Sequence, residues 1–204
     1  MIRNAVFSSV ALLALAACNA PESASTSEAK GAESTTSALS ADAASAPALT
    51  PQGYGSLKIG MSQAEVDAAV GAPPASAAVA EPSECRQYHP PRAPKGLLVM
   101  TEKGVLTRLT AIKGSAVMTE DGVGVGYDGE QLKTNYGAAA RFSPHKYLGA
   151  PAGYLTTWPG AGRLLGTYVA DPAARGLVFE IGQDGKVVAI HAGGPSIQYV
   201  EGCS

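Results

Sequence analysis

An internal repeat is the feature that most constrains how this chain can fold. Residues 57–62, LKIGMS, align without a gap with residues 123–128, VGVGYD. Farther along, residues 96–99, GLLV, match residues 176–179, GLVF, and both are followed by a Gly-containing turn and a second apolar run. Two partial matches in the same order indicate a duplicated unit. We therefore expect repeats over about 54–118 and 119–204.

Each repeat should begin with a short helix. Ser62 and Glu65 have the spacing of a capping box, in which each residue bonds the backbone amide of the other, and Asp128 with Gln131 repeats the spacing. A glycine follows each apolar stretch and should end it. These signals predict helices over 63–70 and 129–136.

Antiparallel strands should follow each helix. Runs rich in Leu, Val and Thr predict a hairpin over 97–101 and 105–112 with a three-residue turn, and a second hairpin over 176–181 and 185–191. Additional strands are expected at 84–89, 153–158, 164–169 and 195–200. The predicted class is α+β: two tandem helix-plus-antiparallel-sheet repeats, which could share one continuous curved sheet.

The amino terminus has the features of an export signal. Arg3 precedes thirteen mostly apolar residues, a run too short to span a bilayer stably. Leu15-Ala16-Ala17-Cys18 resembles the bacterial lipobox, which implies a signal peptide over 1–17 and a lipid on Cys18. The alternative is an ordinary signal peptide with Cys18 as a spare thiol.

The lipobox resemblance implies a location at the cell envelope. Asn19 follows the cysteine where an Asp would favour retention at the inner membrane, so we expect an outer-membrane anchor facing the periplasm. Residues 19–52 are mostly Ala, Ser, Thr, Glu and Pro, which predicts that 18–52 is a lipidated cysteine with a disordered linker. The folded domain should span 53–204.

The charge balance and the cysteine content limit which classes of partner and which cellular compartment we expect. From residue 53 onward, 13 basic residues balance 13 acidic ones, which argues against a nucleic-acid partner. If the lipid occupies Cys18, Cys85 and Cys203 remain as one pair in an oxidising compartment, and we expect a disulfide. The alternative is two buried thiols. Nothing in the sequence specifies an oligomeric state.

Two family resemblances refine the fold expectation. The run over 55–66, GSLKIGMSQAEV, resembles the small outer-membrane lipoproteins of the SmpA/OmlA (BamE) type, and two such units in tandem resemble the β-lactamase inhibitory protein. The carboxyl-terminal half is similar to a bacterial envelope family of unassigned function, through GVGVG at 122–126 and YVEGC at 199–203. The resemblances imply the α+β fold and no binding residue.

Catalytic motifs do not stand out. His89, His145 and His191 lack ligand spacing, and there is no G-x-S-x-G elbow. The same lack of ligand spacing disfavours a metal site made by these histidines with Cys85. We therefore expect no enzyme activity, no cofactor, no catalytic residue and no metal.

Recognition is expected on loops. Arg92 lies in a rigid, Pro-rich connection, and aromatic and Arg side chains are favoured at interfaces. The candidate binding residues are Arg92, His145, Tyr147, Tyr154 and Trp158, although Tyr154 and Trp158 could instead simply pack on the sheet.

The leading functional expectation is a non-enzymatic, lipid-anchored periplasmic binding or assembly module that acts on an envelope protein or a cell-wall component. The first alternative is a proteinaceous inhibitor of a hydrolase of the lysozyme or β-lactamase type. The second is an enzyme with an unrecognised site.

Overall fold

The fold is α+β and is dominated by antiparallel sheet, as predicted. A computed structural model describes residues 46–73, 85–160 and 168–203. The strands are β1 (Leu49–Thr50), β2 (Gly53–Tyr54), β3 (Leu57–Lys58), β4 (Cys85–Tyr88), β5 (Leu97–Glu102), β6 (Val105–Ile112), β7 (Arg141–Pro144), β8 (Gly153–Thr157), β9 (Gly176–Ile181) and β10 (Val187–Gly193). The helices are α1 (Gln63–Val70) and α2 (Gly129–Tyr136), with 3₁₀ turns at Gly137–Ala139 and Pro195–Gln198. None of the helices in the described ranges has the length and apolarity that crossing a membrane requires.

The two halves of the chain share one sheet. Seven strands lie in the order β4-β5-β6-β10-β9-β8-β7, and every neighbouring pair is antiparallel. Strands β4 to β6 come from the first half and β7 to β10 from the second, so the pairing of β6 with β10 joins them. The sequence left open whether the repeats share one sheet, and the structure shows that strands of both halves do. Strands β1 to β3 form a separate small sheet.

The duplication is visible in equivalent hydrogen bonds. The Gly60 amide donates to the Leu106 carbonyl at 2.8 Å, and the Gly126 amide, 66 positions later, donates to the Val187 carbonyl at 2.7 Å. Both glycines have a positive φ, 101° and 94°, and a Cβ would meet no atom within 4 Å at either. Glycine is therefore required here by backbone conformation rather than by space.

The strand register indicates an approximate two-fold relation between the repeats at the β6–β10 pair. Thr110 lies directly opposite His191 in the β6–β10 register. These residues are 81 positions apart, the same separation as Leu106 and Val187, whose carbonyls accept the two equivalent hydrogen bonds. Thr110 and His191 are therefore equivalent positions of the two repeats that meet at this pair of strands, and His191 lies inside β10 rather than at its end.

The helix predictions are confirmed at both ends of both helices. At α1, Ser62 and Glu65 form the reciprocal capping box. At α2, Asp128 accepts from the amides of Glu130 and Gln131, both at 3.0 Å, but its other oxygen pairs with Lys186 at 2.9 Å. The second cap is therefore an Asp cap with a cross-strand ion pair.

One face of the sheet buries the main core beneath the helices. Val66 and Leu132, both fully buried, pack from α1 and α2 into a cluster that includes Leu109, Phe179 and Ile190 of the sheet. Leu49 is only 1 % exposed and belongs to the same cluster. The ordered part therefore includes residues before Gly53, where the sequence placed the end of the linker.

Two other local predictions were wrong, and several lie outside the described residues. The first hairpin has a two-residue turn, because Glu102 pairs with Val105 while Lys103 and Gly104 both have positive φ, as a type I′ turn requires. Residues 195–200 form a 3₁₀ turn and an extended end rather than a strand, because Pro195 starts a helical turn readily. The predicted leader, Cys18, the linker up to 45 and most of the strand at 164–169 lie outside the described residues.

The opposite face of the sheet is crossed by residues 194–203, which we call the C-terminal segment. Arg108 of β6 donates to the carbonyls of Ser196 and Tyr199 in this segment, at 3.2 and 3.0 Å. A disulfide joins Cys203 to Cys85 on edge strand β4, with an S–S distance of 2.02 Å. The predicted disulfide is confirmed, and it fastens the segment across the first repeat.

Candidate binding cleft

A cleft of about 420 Å³ lies on the sheet face opposite the helices, beside the C-terminal segment. Its volume is in the range of small-ligand sites. The lining residues come from β7 to β10 and from the C-terminal segment: Arg141, Ser143, Pro144, Lys146, Tyr154, Thr156, Trp158, Tyr168, Val178, His191, Ile197, Gln198, Tyr199 and Val200. No acidic residue is among them.

Aromatic side chains form much of the cleft lining. Trp158 is 6 % exposed and packs with Val178 and Ile197, so it presents only a small part of its ring. Tyr168, by contrast, is 62 % exposed at the mouth. Tyrosine and tryptophan combine apolar area with a polar group, a combination enriched at recognition surfaces.

The C-terminal segment supplies one wall of the cleft and is held by side-chain hydrogen bonds. Gln198 bonds both backbone groups of Val169: its Oε1 accepts from the amide at 2.9 Å, and its Nε2 donates to the carbonyl at 2.8 Å. This pairing fixes the residue next to Tyr168. The wall therefore depends on Arg108, Gln198 and the disulfide together.

Glu180 of β9 lies between two histidines next to the cleft. Its Oε1 is 3.3 Å from His145 Nε2, and its Oε2 is 3.6 Å from His191 Nε2. His145 also stacks on Tyr154, with ring centroids 4.8 Å apart and planes 23° apart. The register explains the meeting, because Glu180 and Tyr154 face each other across β9 and β8.

Both histidines have both ring nitrogens in use. His145 Nδ1 accepts from the amides of Tyr147 and Leu148, at 3.1 and 3.3 Å, so its proton is on Nε2 and is directed to Glu180. His191 Nδ1 is 3.1 Å from the Thr110 hydroxyl. A general acid or base needs a nitrogen within reach of the substrate. In this arrangement Glu180 orients both histidines, and His145 holds the loop after β7.

Burial and these contacts shift the protonation of the cluster. The neighbouring His191, and then His145, outweigh burial and lower the pKa of Glu180 below its ordinary 4.5. Burial lowers the pKa of His191 below 6.5, although the Glu180 charge opposes this. Near neutral pH Glu180 is therefore a carboxylate, and the buried His191 beside it is a neutral imidazole.

The free energy of unfolding should fall on the acid side in two ranges. The unfolded chain binds a proton at His191 more readily than the folded chain does, so stability present above pH 6.5 is lost as the pH drops below it. The Glu180 contribution is present above about pH 4.5 and is lost as the pH falls through its lowered folded pKa. Urea melts of wild type and Glu180→Gln from pH 8 to pH 3 measure this. A variant curve as steep as wild type below pH 4.5 would contradict the assignment.

Four of the five candidate binding residues gather at this site. Tyr154 and Trp158 line the cleft, and His145 stacks on Tyr154. Tyr147 is 59 % exposed on the same loop, and its hydroxyl donates to Glu201.

Arg92, the fifth candidate, has a different position. Its guanidinium donates to the carbonyls of Asp67 and Ala68, the latter at 2.7 Å, at the end of α1. Cations at a helix carboxyl terminus satisfy its unpaired carbonyls and favour its dipole. Arg92 is therefore explained as a helix cap, and it does not line the cleft.

Several residues of the cleft were not predicted from the sequence. Arg141, Lys146, Gln198 and Tyr199 reach it through strand register and through the fold-back of the C-terminal segment. The sequence carried one signal for the position of Arg141. Arg141 and Ser143 alternate in a short polar strand that pairs with the strand of Tyr154 and Thr156, and residues two apart on paired strands share a face of the sheet.

Within the described ranges, no group of three or more His, Cys, Asp or Glu side chains has an arrangement that could hold a metal ion. Comparisons with protein-family models, curated proteins and solved structures find no match.

Proposed function

We propose that this chain is a non-enzymatic, lipid-anchored binding module of the cell envelope that holds part of an envelope partner in the cleft. The observation that supports it best is the convergence of Tyr154, Trp158, Tyr168 and Tyr199 around one concave space of ligand size. Aromatic side chains contribute large contact areas at low entropic cost, and so they dominate the energetics of many interfaces.

The geometry favours binding over catalysis. Glu180, His145 and His191 would be the natural acid–base set for an enzyme. However, both nitrogens of each imidazole already have partners within the protein. A carboxylate that contacts both imidazoles is well suited to holding the loop after β7 in one conformation.

The inhibitor alternative has less support than the binding proposal. Of the candidate binding residues, Trp158 and Arg92 would be the inhibitory contacts. Trp158 is nearly buried and Arg92 caps α1, so neither side chain projects as an inhibitory anchor.

The anchor rests on the lipobox-like residues, and one substitution tests it. Cys18→Ser should move the full-length protein from the detergent phase to the aqueous phase in a Triton X-114 partition of envelope fractions, because the acyl chains supply the membrane affinity. Mass spectrometry of the wild-type amino terminus should find an acylated Cys18. An unmodified Cys18, or a detergent-phase Cys18→Ser variant, would contradict the anchor.

A cleft-filling variant tests the binding function. Thr156 lines the cleft from β8, and Thr156→Tyr would occupy the space with a ring while keeping a strand-favouring residue. The full-length wild type should recover a partner from solubilised envelope of the cells that make it, and Thr156→Tyr should not. Lys113→Gln, at an exposed position outside the lining, is the matched control and should behave as wild type. Equal recovery by Thr156→Tyr, or recovery of nothing by wild type, would contradict the proposal.

A further inference from the structure

The C-terminal segment separates the cleft from a second cavity of about 470 Å³. Gln198, Tyr199 and Val200 line both spaces, so this stretch is the wall between them. The second cavity is also lined by both cysteines of the disulfide, Cys85 and Cys203, and each of them is partly exposed. The bond that fastens the segment is therefore within reach of molecules in solution.

The last residues of the segment, 200–203, lie over Arg108. Gly202 has a positive φ, 70°, and a Cβ there would lie 2.7 Å from Arg108 Nη2 and 2.5 Å from Gln87 Oε1. Arg108 is 2 % exposed, and the acceptors that it bonds are neutral oxygens. The disulfide therefore holds 200–203 closed over a guanidinium that water would reach if these residues moved away.

Among the described residues, few contacts besides the disulfide hold 200–203 in place. The Tyr147 hydroxyl donates to Glu201, and the side chains of Val200 and Glu201 are both exposed. An exposed hydrogen bond of this kind contributes little net stability, because water replaces it. Opening would return a buried charge to water, which is favourable. We therefore expect the open position to be populated once the S–S bond is broken.

From this arrangement we propose that the Cys85–Cys203 disulfide is a redox-sensitive latch on the cleft, opened by a dithiol reductant. A thiolate of the dithiol attacks one sulfur, the S–S bond breaks and the other cysteine leaves as a thiolate; the second thiol of the reductant then displaces the first cysteine. The products are two cysteine thiols in this chain and a disulfide in the reductant, which supplies both electrons. Residues 200–203 then leave Arg108, the wall at Val200 is lost and the cleft joins the second cavity. As regulation of the cleft, this inference rests on the proposed binding function.

The rate of reduction tests whether the disulfide is accessible in the folded protein. The full-length protein with Cys18→Ser is treated with dithiothreitol, and the free thiols are counted by alkylation and mass spectrometry. Because access is local, we expect a rate proportional to the dithiothreitol concentration and unchanged by urea below the unfolding transition. A rate that levels off at the rate of global unfolding would overturn the latch.

Arginine labelling tests the opening itself. Arg108 should be protected from phenylglyoxal in the oxidised protein, and this protection should be lost after Cys85 and Cys203 are reduced and alkylated. Arg92, exposed at the end of α1, should react equally in both forms. The far-UV circular dichroism of the reduced sample should keep the signal of the folded sheet. Cys85→Ser/Cys203→Ser should show the same labelling without any alkyl group.

Two labelling results would overturn the inference. They are an Arg108 that stays protected in the reduced, folded protein, and a reduced protein that has lost its circular dichroism signal, because the disulfide would then be purely structural.

Capture from solubilised envelope separates failure of the latch from failure of the proposed function. The oxidised protein should recover a partner, and the reduced, alkylated protein should not, because Val200 has moved out of the wall. Equal recovery by both forms would overturn the regulation of the cleft. Recovery by neither form would overturn the binding function and the regulation that rests on it, whereas the opening is decided by the labelling of Arg108 alone.

Discussion

Replacing Cys85 and Cys203 together with Ser is expected to lower the free energy of unfolding by roughly 4–5 kcal/mol. The disulfide closes a loop of 118 residues, so the unfolded chain gains much conformational freedom when it is removed. A stable domain of this size has only about 5–15 kcal/mol in total. The double variant should therefore be close to its unfolding threshold.

The measurement is a urea melt of the double variant against the disulfide-bonded protein, with Cys18→Ser in both so that no third thiol can exchange. Wild type treated with a reductant is a second route to the same comparison if the variant does not accumulate. Trp158 emission should shift to longer wavelength as well, because Ile197, carried by the fastened segment, covers its ring. Unchanged urea midpoints would show that the disulfide is not a main source of stability.

Arg108→Met is expected to cost about 2–4 kcal/mol of unfolding free energy. Arg108 is only 2 % exposed, and its partners are neutral oxygens: the carbonyls of Ser196 and Tyr199 and the side-chain oxygen of Gln87 at 2.7 Å. Burial lowers its pKa to about 10, so the group is still charged at neutral pH. Met preserves most of the packing of the stem but leaves acceptors unpaired, each costing about 1–3 kcal/mol.

Arg108→Met has two opposing effects on the free energy of unfolding, and their relative sizes decide whether the variant is less or more stable than wild type. Removing the guanidinium relieves the cost of burying a charge, but it leaves the Tyr199 carbonyl and the Gln87 amide oxygen without their donor. Breaking one side of a buried polar contact is generally destabilising for this reason. Arg175→Met is the matched control, because within the described residues that arginine donates to the carbonyls of Pro172 and Ala174 in its own turn, and its replacement should cost under about 1 kcal/mol. A variant at position 108 as stable as the control would contradict the role of Arg108.

Local signals in the sequence predicted the helices. The features that these signals missed depend on pairing between residues that are far apart in the sequence. The spacing of Ser62 and Glu65 is a feature of adjacent residues, and both helices begin and end where such spacing places them. The duplication left open whether the repeats share one sheet, and it did not predict the β6–β10 register that puts Thr110 opposite His191. A one-residue shift of that register would send His191 to the helix-covered face.

Residues whose burial or backbone conformation is unusual for their type were the hardest to predict from the sequence. Arginine is normally exposed, so a buried Arg108 that holds the C-terminal segment has no sequence signature. Lys103 takes a positive φ, 50°, that a hairpin turn more often gives to Asn or Gly. The wall formed by Gln198 and Tyr199 depends on both the buried arginine and the disulfide, which explains why the cleft was only partly predicted.

In-cell photo-cross-linking most directly tests the claim that the cleft holds an envelope partner. A photoreactive amino acid is placed at Tyr168, exposed at the mouth of the cleft, or at Met118, which is 54 % exposed and outside the lining. After illumination of cells that make the full-length protein, we predict a discrete adduct from position 168, none from position 118, and loss of the adduct in the Thr156→Tyr background. Adducts of equal yield from both positions, or an adduct from 168 that persists with Thr156→Tyr, would contradict the account.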